Sequence, residues 1–367
     1  MRILIICNNA SGLLIFRGML ISKLISLGNT VNAIVPVSDE SNEITAQEKL
    51  NELNCGLYEV KMERRNTNPF EDLILANEYR NVIKENRPDF VITYTIKPNV
   101  YGGMICRFMK IPYAANITGL GTAFQNKGLL RTFVTFLNRL SLKKAKTVIF
   151  ENCDNMQTFL DYGIVKDKQC LLNNGAGVNI DEFEFTSYPE NNEIRFLFIG
   201  RVMREKGIDE LFEAAKRIKR EYDNVYFDIV GPYEEDYKRL TDELVAEGII
   251  EYYGYQEDVK PFIRNAHCFV LPSWHEGMAN TNLESAAMGR PVITSNIHGC
   301  KEAVVENESG FLCEPKNADS LYEQIKRFIE LPYEKKAEMG IAARKHMEEV
   351  FDKRKVVEAT IEKLFEE

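Results

Sequence analysis

Residues 276–284 read Glu-Gly-Met-Ala-Asn-Thr-Asn-Leu-Glu. The segment follows a short apolar run at 268–271 and opens a helical pattern that stops near Gly289-Arg290-Pro291. Gly277, Met278, Ala279 and Asn280 would then carry free main-chain N–H groups at a helix N-terminus, ready to bind an anion. Glu276 precedes that helix and Glu284 lies about two turns inside it, ~12 Å apart at 1.5 Å rise per residue. Carboxylates so separated do not make an acid–base dyad. Each can instead accept hydrogen bonds from hydroxyls of a different sugar on one ligand. The plainer alternative is an acid favoured by the helix dipole and an ordinary exposed glutamate.

Two further features belong to the same half. Gly200-Arg201 comes directly after an apolar run, with Lys206-Gly207 close behind. Two cations on a strand-to-helix loop can neutralise a diphosphate, although basic loop residues are also common surface decoration. Val230-Gly231-Pro232 is a glycine turn that either lets a nucleotide approach the backbone or merely reverses the chain. In the first half, Gly119-Leu120-Gly121-Thr122 matches half of a dinucleotide fingerprint. It lacks the third glycine and the position after the first strand, and so reads as a cleft loop and not as an NAD site. The eight cysteines form no Cys-x-x-Cys pair, so they are expected to be small buried hydrophobes in a reducing compartment and not zinc ligands.

These residues need elements to hold them. Residues 2–7, 30–35, 89–94 and 147–150 are Ile/Val-rich and nearly continuous, the pattern of buried parallel strands. Amphipathic stretches such as 43–53 and 71–85 lie between them. The pattern breaks at Asn173-Asn174-Gly175-Ala176-Gly177, and a domain boundary is expected between 175 and 192. A second alternation places strands at 194–199, 225–230, 268–271 and 291–294, with helices at 209–220, 234–247 and 280–288 and helical patterning from 319 onward. Such alternation gives an α/β protein with two Rossmann-like, doubly wound domains facing each other across a cleft, ligands lying at the carboxyl ends of the strands.

The chain has 367 residues, 45% of them hydrophobic and 28% charged, which excludes a disordered chain or a coiled coil. No apolar run approaches the ~20 residues that cross a bilayer, and residues 3–6 are too short for the apolar core of a signal peptide, so a cytoplasmic protein is expected. The net charge of −9 is unevenly spread, +5 over residues 1–180 and −14 over 181–367. Overall acidity argues against a nucleic-acid partner. Residues 90–150 nevertheless hold nine basic residues and no Asp or Glu, and 129–142 interleaves Phe133, Val134, Phe136, Leu137 and Leu140 with Arg131 and Arg139. A basic amphipathic helix is a membrane-surface signature, so the 127–146 region is expected either to meet anionic headgroups on the inner face of the membrane or to be a core helix with a solvated basic face.

Glu276-x7-Glu284 after a short strand, with Gly200-Arg201 and Lys206-Gly207, resembles the retaining nucleotide-sugar glycosyltransferases of family GT4, which have the GT-B fold. Trp274-His275-Glu276-Gly277 and Ala303-Val304 fit the same resemblance, which covers nearly the whole chain. It is nearest to bacterial enzymes that build capsule, O-antigen or lipid-linked glycans. The resemblance implies an acceptor-binding domain at 1–180, a donor-binding domain at 181–350 and a last helix, 351–367, packed back on the first. It implies that Arg201 and Lys206 contact the donor diphosphate, that Glu284 holds ribose hydroxyls, and that Glu276 meets the transferred sugar. The amides of Gly277–Asn280 would hold phosphate, Gly231 would allow close approach of the nucleotide, and Tyr255 would lie near the base. Gly12 would approach the diphosphate from the first domain, while Arg17, Lys97, Gly119 and Gly121 would serve the acceptor side. Family members often carry a histidine there; all four histidines of this chain lie at 267 or later.

The activity implied is transfer of a hexosyl or N-acetylhexosaminyl unit from a UDP-sugar to a polyprenyl-diphosphate-linked saccharide. No Asp-x-Asp occurs in the chain, so a metal-bridged diphosphate has no such ligands, and two cations with a helix terminus can supply the positive potential instead. No metal or other cofactor is expected. The rival reading is a UDP-sugar 2-epimerase of similar architecture.

Overall fold

The computed structural model describes residues 1–62, 69–120, 124, 128–190 and 193–365. Contacts divide the chain into two units, Met1–Ala176 with Arg354–Glu367, and Gly177–Lys353. The division falls inside the Gly-rich break, four residues before the expected boundary at 180.

The first unit runs β1 (Arg2–Ile6), α1 (Ala10–Ser26), β2 (Thr30–Pro36), α2 (Ser41–Glu52), β3 (Gly56–Val60), α3 (Pro69–Asn86), β4 (Phe90–Tyr94), α4 (Gly103–Met109), β5 (Tyr113–Ile117), α5 (Leu129–Leu142), β6 (Thr147–Phe150), α6 (Cys153–Asp161) and β7 (Cys170–Leu172). A π-helical segment, Pro98–Gly102, leads into α4. The strands form one parallel sheet in the order β3-β2-β1-β4-β5-β6-β7. The Ile/Val runs are buried on both faces because helices cover both. Leu13, Leu20 and Leu24 of α1 and Leu50 of α2 pack on one face, with Val357 and Leu364 from the last helix. Leu75, Tyr79 and Ile83 of α3 and Leu142 of α5 pack on the other. That last helix, Lys353–Phe365, is fixed by Phe365 against Phe90, ring centroids 5.3 Å apart, and by a 2.8 Å hydrogen bond from Asn173 to Thr360.

The second unit runs β8 (Ile194–Ile199), α7 (Ile208–Glu221), β9 (Val225–Val230), α8 (Lys238–Ala246), β10 (Glu251–Tyr252), α9 (Lys260–Asn265), β11 (Cys268–Leu271), α10 (Asn280–Ala287), β12 (Val292–Ser295), β13 (Gly310–Cys313), α11 (Ala318–Glu330) and α12 (Tyr333–His346), α13 being the last helix just described. Its parallel sheet has the order β10-β9-β8-β11-β12-β13. The helix expected over 234–247 starts only at Lys238. Glu234 and Glu235 are held beforehand, the Glu234 N–H donating to the Val202 carbonyl and the Glu235 carboxylate accepting from the Arg204 N–H. Six cysteines are buried and two, Cys153 and Cys170, are half-buried; all eight are thiols. No helix among the described residues is long and apolar enough to cross a membrane.

Candidate active site

The second sheet reverses its strand order between β8 and β11, the kind of point where loops leaving neighbouring strands diverge and ligands bind. Two glycines bring those loops together. Gly207 has φ +73°, and a Cβ there would lie 2.1 Å from the Pro272 carbonyl oxygen. Gly231 has φ +141°, and its Cβ would lie 1.9 Å from the Gly200 carbonyl oxygen. Only glycine fits either position. The close approach that Gly231 permits in the fold is to Gly200 of its own unit.

With the loops so docked, Lys206 pairs with Glu276, and Ser273 donates to the same carboxylate oxygen at 2.8 Å. Both members of the pair are half-buried. Lys206 and Glu276 were expected to serve different parts of a ligand; the fold joins them before any ligand arrives. Arg201, exposed, has Nη1 3.5 Å from the Glu234 carboxylate. Trp274 closes the base of the loop, its main-chain N–H on the Glu205 carbonyl at 2.9 Å and its indole N–H on Glu210 at 3.2 Å.

Helix α10 starts beside this pair. The Ala279 N–H donates to the Gly299 carbonyl at 2.7 Å, so this amide, expected to bind phosphate, is already used by the chain. Met278 and Ala279 point their side chains into the core. The N–H groups of Met278 and Asn280 have no hydrogen-bond partner among the described residues, as the open start of a helix leaves them. Glu284 is half-buried one turn further on, with no side-chain hydrogen bond or ion pair among the described residues. Burial pushes its carboxyl up to about 7, a rise opposed by Lys353 and aided by Glu182. Tyr255 stands exposed in the loop after β10.

In the first unit the strand order reverses between β1 and β4, and a pocket of about 230 Å³ opens there, lined among others by Asn9, Gly12, Arg17, Tyr94 and Thr95. Gly12 and Arg17 thus share a site. Gly12 sits in the first turn of α1, which starts at Ala10. The buried Glu43 carboxylate accepts from the main-chain N–H of Ala10 at 2.6 Å and of Ser11 at 3.3 Å, and from the Ser11 hydroxyl. An anion of the protein itself thus takes the Ala10 and Ser11 amides at this helix terminus. Lys97 lines a different pocket of about 450 Å³ with Val37, Met62, Asp72 and Ile74, and pairs with Asp72 at 2.9 Å. It is not brought to Arg17. Gly119 is half-buried with open space where a Cβ would stand, and Gly121 lies outside the described residues.

Reading the sequence missed Glu43, Glu151 and Ser273. Glu151 carried a signal, being the first acid after sixty-one residues without one.

The profile described as "Glycosyl transferases group 1" matches residues 179–346, and that described as "Glycosyl transferase 4-like" matches 13–152. An N-acetylgalactosaminyltransferase of Campylobacter jejuni, named as acting on N,N'-diacetylbacillosaminyl-diphospho-undecaprenol, is 29% identical over 90% of both chains. The chain is a glycosyltransferase. A capsular polysaccharide glycosyltransferase of Staphylococcus aureus, CapM, is 31% identical over 36% of each chain. Among solved structures, a Rickettsia africae glycosyltransferase superimposes with TM-score 0.79 at 22% identity, covering 99% of this chain and 97% of its own. HepE of Anabaena, solved with UDP and glucose, gives 0.79 at 17% identity over 99% of both. The transferase shares the GT-B fold with these, and its relatives speak for transfer and against the epimerase alternative.

Proposed function

We propose that this transferase moves a hexosyl or N-acetylhexosaminyl unit from a UDP-sugar to a saccharide carried on polyprenyl diphosphate, with retention of anomeric configuration. The observation that carries the reading is the Lys206–Glu276 pair at the strand-order reversal of the second unit, on loops that also carry Arg201 and lead into the open N-terminus of α10. A leaving diphosphate needs positive potential where its charge develops. Lys206, Arg201 and the Met278 and Asn280 amides supply it in one place, and the chain's own chemistry then needs no metal. Glu284 accepts from the ribose hydroxyls and Glu276 from the sugar being moved. On the acceptor side, the pocket at the β1/β4 reversal receives the hydroxyl that attacks.

The bond from the anomeric carbon to the phosphate oxygen breaks while a bond from that carbon to the acceptor oxygen forms on the same face. The acceptor proton passes to the departing phosphate oxygen, so no protein nucleophile is required. The named activity of the Campylobacter relative, an N-acetylgalactosaminyl transfer onto an undecaprenyl-linked sugar, and the UDP held by HepE support this choice of donor and acceptor.

A lipid-borne acceptor brings the protein to a membrane surface. Helix α5 supports this with Leu130, Phe133 and Phe136 turned outward, beside an equally exposed Phe108 on α4. The cations that border this patch are Lys110, Lys143, Lys144 and Lys146, all exposed. Arg131 and Arg139, expected to form the basic face, are instead drawn to Tyr162, one over its ring at 5.4 Å and the other onto its carbonyl at 3.0 Å.

A thermal-shift screen of UDP-, GDP- and ADP-sugars tests the donor. A ligand at 100 times its Kd stabilises by about 2.7 kcal/mol, so UDP-sugars should raise the melting temperature measurably while GDP- and ADP-sugars leave it in place. Equal shifts from all three would count against the reading.

A further inference from the structure

Arg17 lies two turns into α1 and is 8% exposed. Its Nη2 meets a carboxylate oxygen of Glu151 at 2.7 Å, and its guanidinium carbon sits 4.8 Å from the centre of the Tyr94 ring. Glu151 directly follows β6 and is 7% exposed. A salt contact with Glu151, 134 residues away in sequence, and the aromatic face of Tyr94 therefore lock one guanidinium in place. The Nε and Nη1 groups of Arg17 have no partner among the described residues, and the residue lines the pocket at the β1/β4 reversal. Those unspent donors, on a residue that lines an open pocket, are available to a ligand acceptor.

The same edge discriminates by charge. Glu151 cancels the charge of Arg17, and Glu43 occupies the amides of α1 that would otherwise attract a phosphate. At about 230 Å³ the pocket falls below the ~300–1,000 Å³ typical of whole small-molecule sites. It suits one neutral ring and not a nucleotide sugar.

We propose that Glu151 is a positioning residue that holds Arg17 in this pocket, where Arg17 donates hydrogen bonds to a neutral sugar ring of the acceptor. The inference rests on the acceptor reading of the first unit given above. Burial raises the Glu151 carboxyl and the neighbouring Arg17 lowers it again, so the ionised form that orients Arg17 depends on that pairing.

Steady-state kinetics of the full chain test it, with a UDP-sugar donor and an undecaprenyl-diphosphate-linked N-acetylhexosamine as acceptor. Glu151→Gln and Arg17→Met should each raise the acceptor KM by about tenfold or more while the donor KM stays within about twofold. The double variant Arg17→Met/Glu151→Met, which removes both charges together and so avoids a stranded one, should be no worse than the poorer single. Arg17→Lys keeps the charge and loses the fork, and should not restore the acceptor KM. UDP binding by calorimetry, unchanged in all four, reports that the variants are folded. A Glu151→Gln enzyme with a lowered melting temperature but a wild-type acceptor KM would make the pair purely structural and overturn the proposal. So would a double variant whose loss is the product of the two singles. A wild-type enzyme that moves no sugar to this acceptor would overturn the acceptor reading and this inference with it; unchanged variants beside an active wild type would overturn this inference alone.

Discussion

Burial makes Glu284 hold its proton unusually tightly for a carboxyl. Its carboxyl, ordinarily near 4.5, is held up to about 7 by burial. The folded chain therefore binds a proton that the unfolded chain has released between about pH 4.5 and 7, and stability falls as pH rises through that window. Glu284→Gln removes the buried charge, and the variant should be more stable than wild type at pH 8, by on the order of 1–2 kcal/mol of unfolding free energy once partial exposure is allowed for. Donor affinity should move the other way. An ionised carboxylate is the stronger hydrogen-bond acceptor, so UDP-sugar binding by calorimetry should tighten by about fivefold from pH 6 to 8. The same titration of Glu284→Gln should be weak and flat. A wild-type affinity that does not change with pH would remove Glu284 from the donor site.

At the scale of elements, the strands that position both sites were legible wherever bulky apolar residues dominate them. Ile194–Ile199, Val225–Val230, Cys268–Leu271 and Thr147–Phe150 have the bounds that their sequence suggested. Gly56–Val60, Tyr113–Ile117 and Glu251–Tyr252 did not stand out, because glycine, alanine, asparagine and glutamate dilute the apolar signal in so short a run. Arg201, Lys206 and Glu276 were also legible as residues of loops that leave strand ends. Their partners were not. Lys206 meets Glu276 across 70 positions and Arg17 meets Glu151 across 134, and no local pattern encodes a contact that the sheet order creates. Helix α5 gives the prediction that belongs here. Burying an exposed phenylalanine is worth about 1.5–3 kcal/mol, and each lysine near an anionic surface adds about 1 kcal/mol. The wild-type protein should sediment with phosphatidylglycerol vesicles and be released by high salt, and Phe133→Ser/Phe136→Ser should bind at least about tenfold more weakly. Equal sedimentation with neutral phosphatidylcholine vesicles would contradict an electrostatic contribution from the lysines.

For the whole molecule, the two units divide the chemistry. Each sheet reverses its strand order once near its middle, between β1 and β4 in one and between β8 and β11 in the other, and each reversal carries a different charge design. The second unit gathers Arg201, Lys206 and open helix amides, which favour a diphosphate. The first spends its helix amides on Glu43 and neutralises Arg17 with Glu151, which favours an uncharged ring. On the reading proposed above, the two sites tell donor and acceptor apart by electrostatics as well as by shape. The most direct measurement is transfer of radiolabelled sugar from a UDP-donor into an organic-extractable, undecaprenyl-diphosphate-linked product, in EDTA, by wild type and by Lys206→Ala. Label should enter the organic phase with wild type and keep its anomeric configuration. Removing the cation at the leaving diphosphate should slow that transfer by about 10²–10³. Label that stays in the aqueous phase, or a Lys206→Ala enzyme as fast as wild type, would contradict the account.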